Sequence, residues 1–181
     1  MKKILVGLVV LAASGVAFAE PAKERGAFFG AGFAGTTFDD GGAFAGFDFD
    51  DSDSGFGIFG GYKFLKHFAV EARYNDFGAF ALEGFGVDVS SLSVHAVGII
   101  PFGDSGWELF GQLGLGTVDF EMDGESEQEN VGSAGLGVRY SWSSNFAVAA
   151  QLDAYAYEDT SFGASYDVGV TATMISFQYI F

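Results

Sequence analysis

Apolar residues recur at every second position along much of this chain, and this period constrains its fold more than any other feature. From Phe146 to Ala156 every even position is apolar, whereas the odd positions include Gln151 and Asp153. Successive side chains of a β-strand point to opposite faces, so the pattern predicts a strand with one oily face and one polar or small face. Although 49% of the residues are hydrophobic, no apolar run after residue 19 is long enough for a membrane-spanning helix.

The same alternation recurs often enough to predict eight strands and an all-β fold. We place the strands near residues 26–36, 55–65, 67–77, 88–102, 107–119, 130–142, 145–157 and 165–181. In the last of these the apolar positions change parity between Met174 and Ile175, which indicates either a β-bulge or a stretch that is apolar on both faces.

The predicted connections alternate strictly between short and long. Short ones lie at 65–67, 103–106 and 143–144, and long ones at 37–54, 78–87, 120–129 and 158–164. This alternation places all short turns at one end and all long loops at the other, as in a transmembrane barrel with periplasmic turns. Hydrocarbon cannot satisfy backbone amides, so the sheet must close. The sequence therefore predicts a closed eight-stranded antiparallel up-and-down transmembrane β-barrel.

The first 19 residues have the pattern of a secretory signal peptide. Lys2 and Lys3 precede an apolar run over residues 4–16, and Ala17-Phe18-Ala19 is a small-x-small cleavage sequence. The run is short for a transmembrane anchor, which needs about 20 apolar residues. We therefore predict a signal peptide at 1–19 and a barrel domain at 20–181, exported to the outer membrane of a Gram-negative cell.

Charge and cysteine content exclude several classes of protein. The formal net charge is −16, with 24 acidic and 8 basic residues, and there is no cysteine. Nucleic acid is excluded as a partner because phosphate binding needs a concentration of Lys and Arg. The absence of cysteine excludes disulfides and thiolate metal sites.

The segment 175–181 alternates aromatic residues and ends in phenylalanine. This resembles the assembly signal of outer-membrane proteins, carried here by Phe177, Tyr179 and Phe181. The whole predicted barrel resembles the small outer-membrane β-barrel families, namely the barrel domain of OmpA, the opacity proteins, OmpX and OmpW. The resemblance implies contact with outer-membrane lipid and lipopolysaccharide, and with periplasmic chaperones and the barrel-assembly machinery during biogenesis.

Aromatic residues flank the short turns and the end of the last strand. Amphipathic rings favour the boundary between headgroups and oil, so these residues predict a periplasmic aromatic girdle. Its members are Tyr62, Phe64, Phe102, Trp107, Tyr140, Trp142, Phe146 and Tyr179.

Eight polar residues fall on the inward parity of the predicted strands. They are Lys63, Glu71, Arg73, His95, Glu108, Gln112, Arg139 and Asp153. An eight-stranded barrel is only wide enough for side chains or one small ligand, and buried charges need partners. We therefore expect a hydrogen-bonded ionic plug. In the alternative, Glu71, Arg73 and Arg139 form the gate of a narrow channel.

The sequence offers only a weak signal for catalysis. His95 shares its predicted face with Ser91 and Ser93, and Glu71 is a candidate carboxylate across the lumen. Residues two apart share a face in any strand, so we expect a packed lumen histidine and no catalytic residue. His67 is expected to be a solvated turn residue, and no cofactor is implied.

The predicted long loops carry much of the acidic charge. The carboxylates of the first and third loops are Asp39, Asp40, Asp48, Asp50, Asp51, Asp53, Glu121, Asp123, Glu125, Glu127 and Glu129. The run from Asp51 to Gly55 lacks the spacing of a calcium loop, so we expect solvated loops and no metal site, with cation-bridged contact to lipopolysaccharide as the alternative. Phe44, Phe47 and Phe49 either contact a host or envelope protein or pack onto the barrel.

These patterns favour a structural or surface-contact role in envelope integrity or adhesion. A narrow porin-like channel or hydrophobic-solute conduit is the second hypothesis, and a lipid-modifying enzyme is the third.

Overall fold

The computed structural model describes residues 25–39, 49–50, 52–82, 85–122, 125–159 and 166–181. The predicted signal peptide lies outside these residues, as do Phe44, Phe47 and the carboxylates Asp40, Asp48, Asp51 and Asp123. Within the described part no helix is long and apolar enough to cross a membrane.

Eight long antiparallel strands form one sheet that closes on itself. Each strand pairs with its neighbours in the chain, and the first pairs with the last through a continuous register that includes Phe29 opposite Tyr179. The predicted eight-stranded up-and-down barrel is therefore confirmed. The strands are β1 Gly26–Asp39, β2 Ser52–Leu65, β3 Phe68–Leu82, β4 Phe85–Pro101, β5 Trp107–Met122, β6 Glu125–Ser141, β7 Phe146–Asp159 and β8 Tyr166–Ile180.

The turns after β2, β4 and β6 define what we call the short-turn end; the opposite end is the distal end. Hydrogen bonds close these turns. Phe102 N–H donates to the Trp107 carbonyl over 2.9 Å, and Asn145 binds the last strand by accepting from Ile180 N–H and donating to the Ile180 carbonyl, each over 2.7 Å. His67 is exposed as predicted, but its Nδ1 also lies 3.0 Å from the carbonyl oxygen of Ile99, near the end of β4.

The prediction of a long loop is wrong for two of the segments. The segment 78–87 is mostly paired strand that ends with Leu82 opposite Phe85, and the segment 120–129 is a hairpin that ends with Met122 opposite Glu125. Phe49 and Asp50 likewise pair with Leu82 and Ala81. The segment 120–129 is mostly polar, so it shows no apolar alternation although its backbone is paired. In 78–87 the glycines and the irregularity between Asp76 and Ala79 interrupt the pattern instead.

The parity change in the last strand comes from a stretch that is apolar on both faces. The register of β8 with both neighbours is unbroken through Met174 and Ile175, which excludes the bulge there. Met174 lies in the barrel interior, whereas Ile175 lies on the outer surface.

An irregularity does interrupt the pairing of β3 with β4, between Asp76 and Ala79. Gly78 sits in it with a φ of 85°, in the left-handed region that glycine adopts most readily. Its amide donates to Asp76 Oδ1, and the Ala79 amide donates to Asp53 Oδ2. Two carboxylates therefore satisfy backbone groups that the ladder releases at the distal end.

The faces of this barrel are inverted relative to a water-soluble protein. Phe33 and Leu115 are 80% and 78% exposed on the outer surface, whereas the charged side chain of Arg73 is 2% exposed inside. Large apolar side chains exposed on every strand are stable only in contact with hydrocarbon, and closure leaves no unpaired edge in it.

Candidate functional site

All eight polar residues assigned to the interior face the lumen, and each is at most 5% exposed. They fall into three groups rather than one network: a central group around Arg73, a group at the short-turn end around Glu108, and His95 with a serine partner. The charges balance, because the eight include three cations and three carboxylates.

The central group is built around the guanidinium of Arg73 on β3. Its Nε donates to Glu71 Oε1 over 2.9 Å, and its Nη1 donates to Asp153 Oδ2 on β7 over 2.9 Å. The Asp153 carboxylate also accepts from the side-chain amides of Gln112 and Gln151. In the closed ring β3 and β7 stand opposite each other, so this group joins the two walls directly.

The second group lies nearer the short turns. Glu108 accepts from Lys63 Nζ over 2.7 Å through one carboxylate oxygen and from Arg139 Nη1 over 3.2 Å through the other. The Arg139 guanidinium also lies 5.0 Å from the ring centroid of Phe110, within the range of cation–π attraction. One carboxylate therefore ties together β2, β5 and β6.

Apolar side chains separate the two ionic groups. Phe59 and Phe110 belong to a buried cluster that also contains Phe28, Ala69, Val97, Ile99, Ala149 and Ile180. The Arg73 guanidinium lies 5.3 Å from the Phe59 ring centroid, so the cluster also covers one face of the central group. Water exclusion of this kind strengthens the ion pairs that it encloses.

His95 is paired with a residue that the sequence did not single out. Its Nε2 lies 3.0 Å from Ser133 Oγ on β6, and no partner of Nδ1 is found among the described residues. The expectation that Glu71 lies across the lumen is wrong, since it stands on the adjacent strand opposite His95 and binds Arg73. Close approach requires glycine here, because a Cβ at Gly114 would lie 2.3 Å from the His95 ring.

The distal half of the lumen is filled by apolar side chains that the sequence pattern did not assign to a site. Phe77 and Tyr155 meet edge to face with centroids 5.0 Å apart, and the Tyr155 hydroxyl accepts from Asn75 Nδ2 over 2.7 Å. The remaining members of this distal cluster are Ala34, Val89, Val118, Val131, Val170, Ala172 and Met174. Parity alone identifies these positions as inward, as it does Gln151 and Ser133.

The aromatic residues assigned to the periplasmic girdle surround the short-turn end. Trp107 and Tyr140 pair with centroids 4.8 Å apart, and Trp142 stacks on Phe146 at 5.9 Å. Those most exposed on the outer surface are Tyr62, Phe64, Phe102, Trp142, Phe146 and Tyr179. The three terminal aromatic residues, Phe177, Tyr179 and Phe181, also point outward.

No group of three or more His, Cys, Asp or Glu side chains within the described ranges could hold a metal ion. The described distal carboxylates Asp53, Glu121 and Glu129 are exposed. The described lumen side chains pair charges and fill space.

Comparisons with known proteins agree with this architecture. A family model described as an outer membrane protein beta-barrel domain matches residues 5–181. No curated protein sequence matches the chain.

Several solved structures share the fold. Neisserial surface protein A superposes with a TM-score of 0.66 at 14% identity, covering 88% of this chain and all of that one. OprG of Pseudomonas aeruginosa gives 0.62 at 16%, covering 88% and 98%. The attachment invasion locus protein Ail of Yersinia pestis gives 0.57 at 21%, covering 88% and 99%.

Proposed function

Because the chain belongs to the outer-membrane protein β-barrel domain family, we propose that it is a closed, non-conducting barrel with a structural or surface-contact role in the cell envelope. It is an integral protein of the Gram-negative outer membrane. The short turns then face the periplasm, the distal end faces outward, and the first 19 residues serve as the signal peptide.

The observation that carries the proposal is bonding between opposite walls of the lumen. Arg73 on β3 binds Asp153 on β7, and Asn75 binds Tyr155 on the same two strands one layer higher. Above these layers lies the distal apolar cluster, and below them lie Phe59 and Phe110. A water-filled path through the lumen would have to disrupt both the ion-paired layer and the apolar cluster.

Single-channel recording in planar bilayers tests the closed lumen. We expect no stable conductance from the refolded wild-type protein. A control with Arg73→Ala, which opens the central group, shows whether the assay detects a pore of this size. Stable wild-type conductance that Arg139→Ala abolishes would instead favour the narrow channel, and uptake of hydrophobic solutes into liposomes would favour a solute conduit.

The charge of the outward end supports a particular kind of surface contact. Ail of Yersinia pestis has been crystallised with the heparin analogue sucrose octasulfate, a polyanion. In this chain none of the eight basic residues lies in residues 37–54, 78–87, 120–129 or 158–165, whereas acidic residues are frequent there. We therefore propose a basic partner, or lipopolysaccharide phosphates bridged by divalent cations, rather than a polyanion that is bound directly.

A deletion strain tests the biological role. We expect greater sensitivity to detergent or weaker adhesion, with unchanged uptake of small solutes. Complementation with a variant in which Glu121 and Glu129, both exposed, are replaced by Gln separates the two roles, because it leaves the lumen intact and removes distal charge. Full complementation of adhesion by this variant would contradict contact through these carboxylates.

We propose no enzymatic activity. His95 is 1% exposed, it binds Ser133 through Nε2, and the nearest candidate acid, Glu71, is engaged by Arg73. A serine hydrolase needs a carboxylate that orients the histidine and an open path to the serine. Phospholipid or lipid A hydrolysis that disappears in His95→Ala would contradict this.

The outward aromatic residues Phe177, Tyr179 and Phe181 are proposed as the signal for barrel assembly. The same strand is held by Asn145, so a variant that alters the aromatic face leaves this backbone clamp in place. We expect Phe181→Ala to slow assembly in cells while refolding in detergent stays unchanged.

A further inference from the structure

The outer surface carries one preformed groove over β1. It holds about 610 Å³ and is lined almost wholly by apolar atoms. Its floor is Ala31, flanked by Phe29 and Phe33 on the same outward row of β1. Ala31 stands opposite Phe177 on β8, so one small side chain lies among three large rings. Ligand pockets in proteins have this volume and this aromatic, apolar lining.

One wall of the groove is a chain of rings that support each other. Trp142 stacks on Phe146, and Phe146 meets Tyr179 edge to face at 5.0 Å. The other wall is formed by Phe33 and Phe56, which stand opposite each other on β1 and β2. Aromatic side chains have few rotatable bonds, so the groove exists without rearrangement and little entropy is lost on filling it.

The position of the groove in the membrane limits what can fill it. It starts at the girdle residues Trp142 and Tyr179 and extends along β1 to Phe33, about 13 Å from Phe29 at the strand rise of about 3.3 Å per residue. Because barrel strands are tilted by about 35–45° from the membrane normal, this length covers about 10 Å of depth, or about two thirds of one leaflet of a hydrocarbon core about 30 Å thick. In the orientation proposed above, the groove therefore lies within the periplasmic leaflet, whose hydrocarbon consists of phospholipid acyl chains.

A cation lies at the end of the groove where a headgroup would be. Arg25 is exposed and directly precedes β1 at the periplasmic boundary, four residues below Phe29. The distal connections contain no basic residue, so a cation that could pair with a lipid phosphate is found only at the periplasmic boundary.

We propose that this groove is a binding site for one phospholipid of the periplasmic leaflet, with an acyl chain lying over Ala31 and the phosphate at Arg25. The groove binds the chain by dispersion contacts with rings that a smooth barrel surface does not offer. Anionic phospholipids are preferred because Arg25 adds electrostatic attraction to the headgroup.

The two tryptophans provide the test. Trp142 lines the groove, whereas Trp107 belongs to the same girdle and lies outside the groove lining. Trp107→Phe and Trp142→Phe each leave a single reporter at a similar depth. The proteins are refolded into phosphatidylcholine vesicles that contain increasing fractions of phosphatidylglycerol with brominated acyl chains, which quench tryptophan on contact.

We expect Trp142 to reach half-maximal quenching at a lower fraction of brominated phosphatidylglycerol than Trp107 does. Ala31→Phe fills the groove and should remove the difference, whereas Ala96→Phe, at an outward position on β4, should keep it. Arg25→Gln should lower the preference for phosphatidylglycerol over phosphatidylcholine by about fivefold, the equivalent of about 1 kcal/mol per cation near a membrane surface.

Heat-modifiable migration on gels establishes that each variant is folded. If Ala31→Phe fails to fold, Phe33→Ala removes one wall instead and should also abolish the difference. Equal quenching of the two tryptophans, or a difference that survives both variants, overturns the proposal. Weaker quenching of Trp142 than of Trp107 also overturns it, since it would mean that a protein surface or a second copy covers the groove.

Discussion

The central polar layer and the distal apolar cluster occupy neighbouring layers of the same lumen, yet different interactions close the lumen in each. Arg73 and Phe77 lie four residues apart on β3, and Asp153 and Tyr155 lie two apart on β7. The polar layer depends on specific partners, and removing one partner leaves a buried charge unpaired. The distal cluster depends on volume, and removing one side chain leaves a cavity. Equal burial therefore does not imply equal tolerance of substitution.

Arg73→Met should cause the largest loss of stability. It leaves Glu71 and Asp153 buried without their cation, and breaking a buried ion pair in this way costs about 3–5 kcal/mol. Urea unfolding in phospholipid vesicles measures the change. The triple variant Arg73→Met, Glu71→Gln, Asp153→Asn removes the stranded charges and should recover much of the loss. A triple variant no more stable than the single one would contradict an electrostatic origin.

Met174→Ala tests the distal cluster by creating a cavity. Met174 is 1% exposed among Phe77, Tyr155 and the surrounding valines, and truncating such a side chain to alanine costs about 2–4 kcal/mol. Ile175→Ala is the matched control at the next position, because it faces lipid that can fill the space. If the two variants lose equal stability in the same unfolding assay, the distal cluster is not the packed core that we describe.

Gly135→Ala adds volume to the polar layer without changing charge. A Cβ at this position would lie 2.0 Å from Asp153 Oδ1, so the carboxylate must move away from its partners. Overpacking of this kind costs about 1–3 kcal/mol. Gly132→Ala, on the outer face of the same strand, meets no atom closer than 3.9 Å and should leave the unfolding midpoint unchanged.

Ser133→Ala should have the smallest effect of the series. It removes the hydrogen bond to His95 Nε2 and leaves that nitrogen buried, which costs about 1 kcal/mol for a neutral pair. The comparison with Arg73→Met is informative because both residues belong to the buried polar interior. A loss as large as that of Arg73→Met would show that His95 carries a charge that Ser133 stabilises.

Much of the lumen followed from parity, but its pairing did not. Alternation placed Lys63, Arg73 and Asp153 inside, because a strand turns every second side chain to the same face. It did not identify Ser133 as the partner of His95 or Asp153 as the partner of Arg73. Those contacts depend on register between strands, which a single strand's pattern does not contain.

The connections between strands also show where prediction from the pattern of one segment fails. The segments 78–87 and 120–129 lose their alternation and were predicted as loops, yet they are mostly paired strand. Apolar alternation arises when the two faces of a strand meet different solvents, so the mostly polar hairpin at 120–129 does not show it. In 78–87 glycines interrupt the pattern. The Asp53 bond to the Ala79 amide likewise links two strands at a point that neither sequence segment marks.

The sequence by itself determined the number of strands, the face on which each side chain lies and the closure of the sheet, because oil and water sort residues with a period of two and a membrane sheet cannot keep an edge. The tertiary structure alone decided which charges meet and where the outer surface opens into a groove. Closing the ring set β3 opposite β7 and β1 beside β8, and these juxtapositions join residues about eighty or more positions apart, at distances that depend on register and side-chain volume rather than on local pattern.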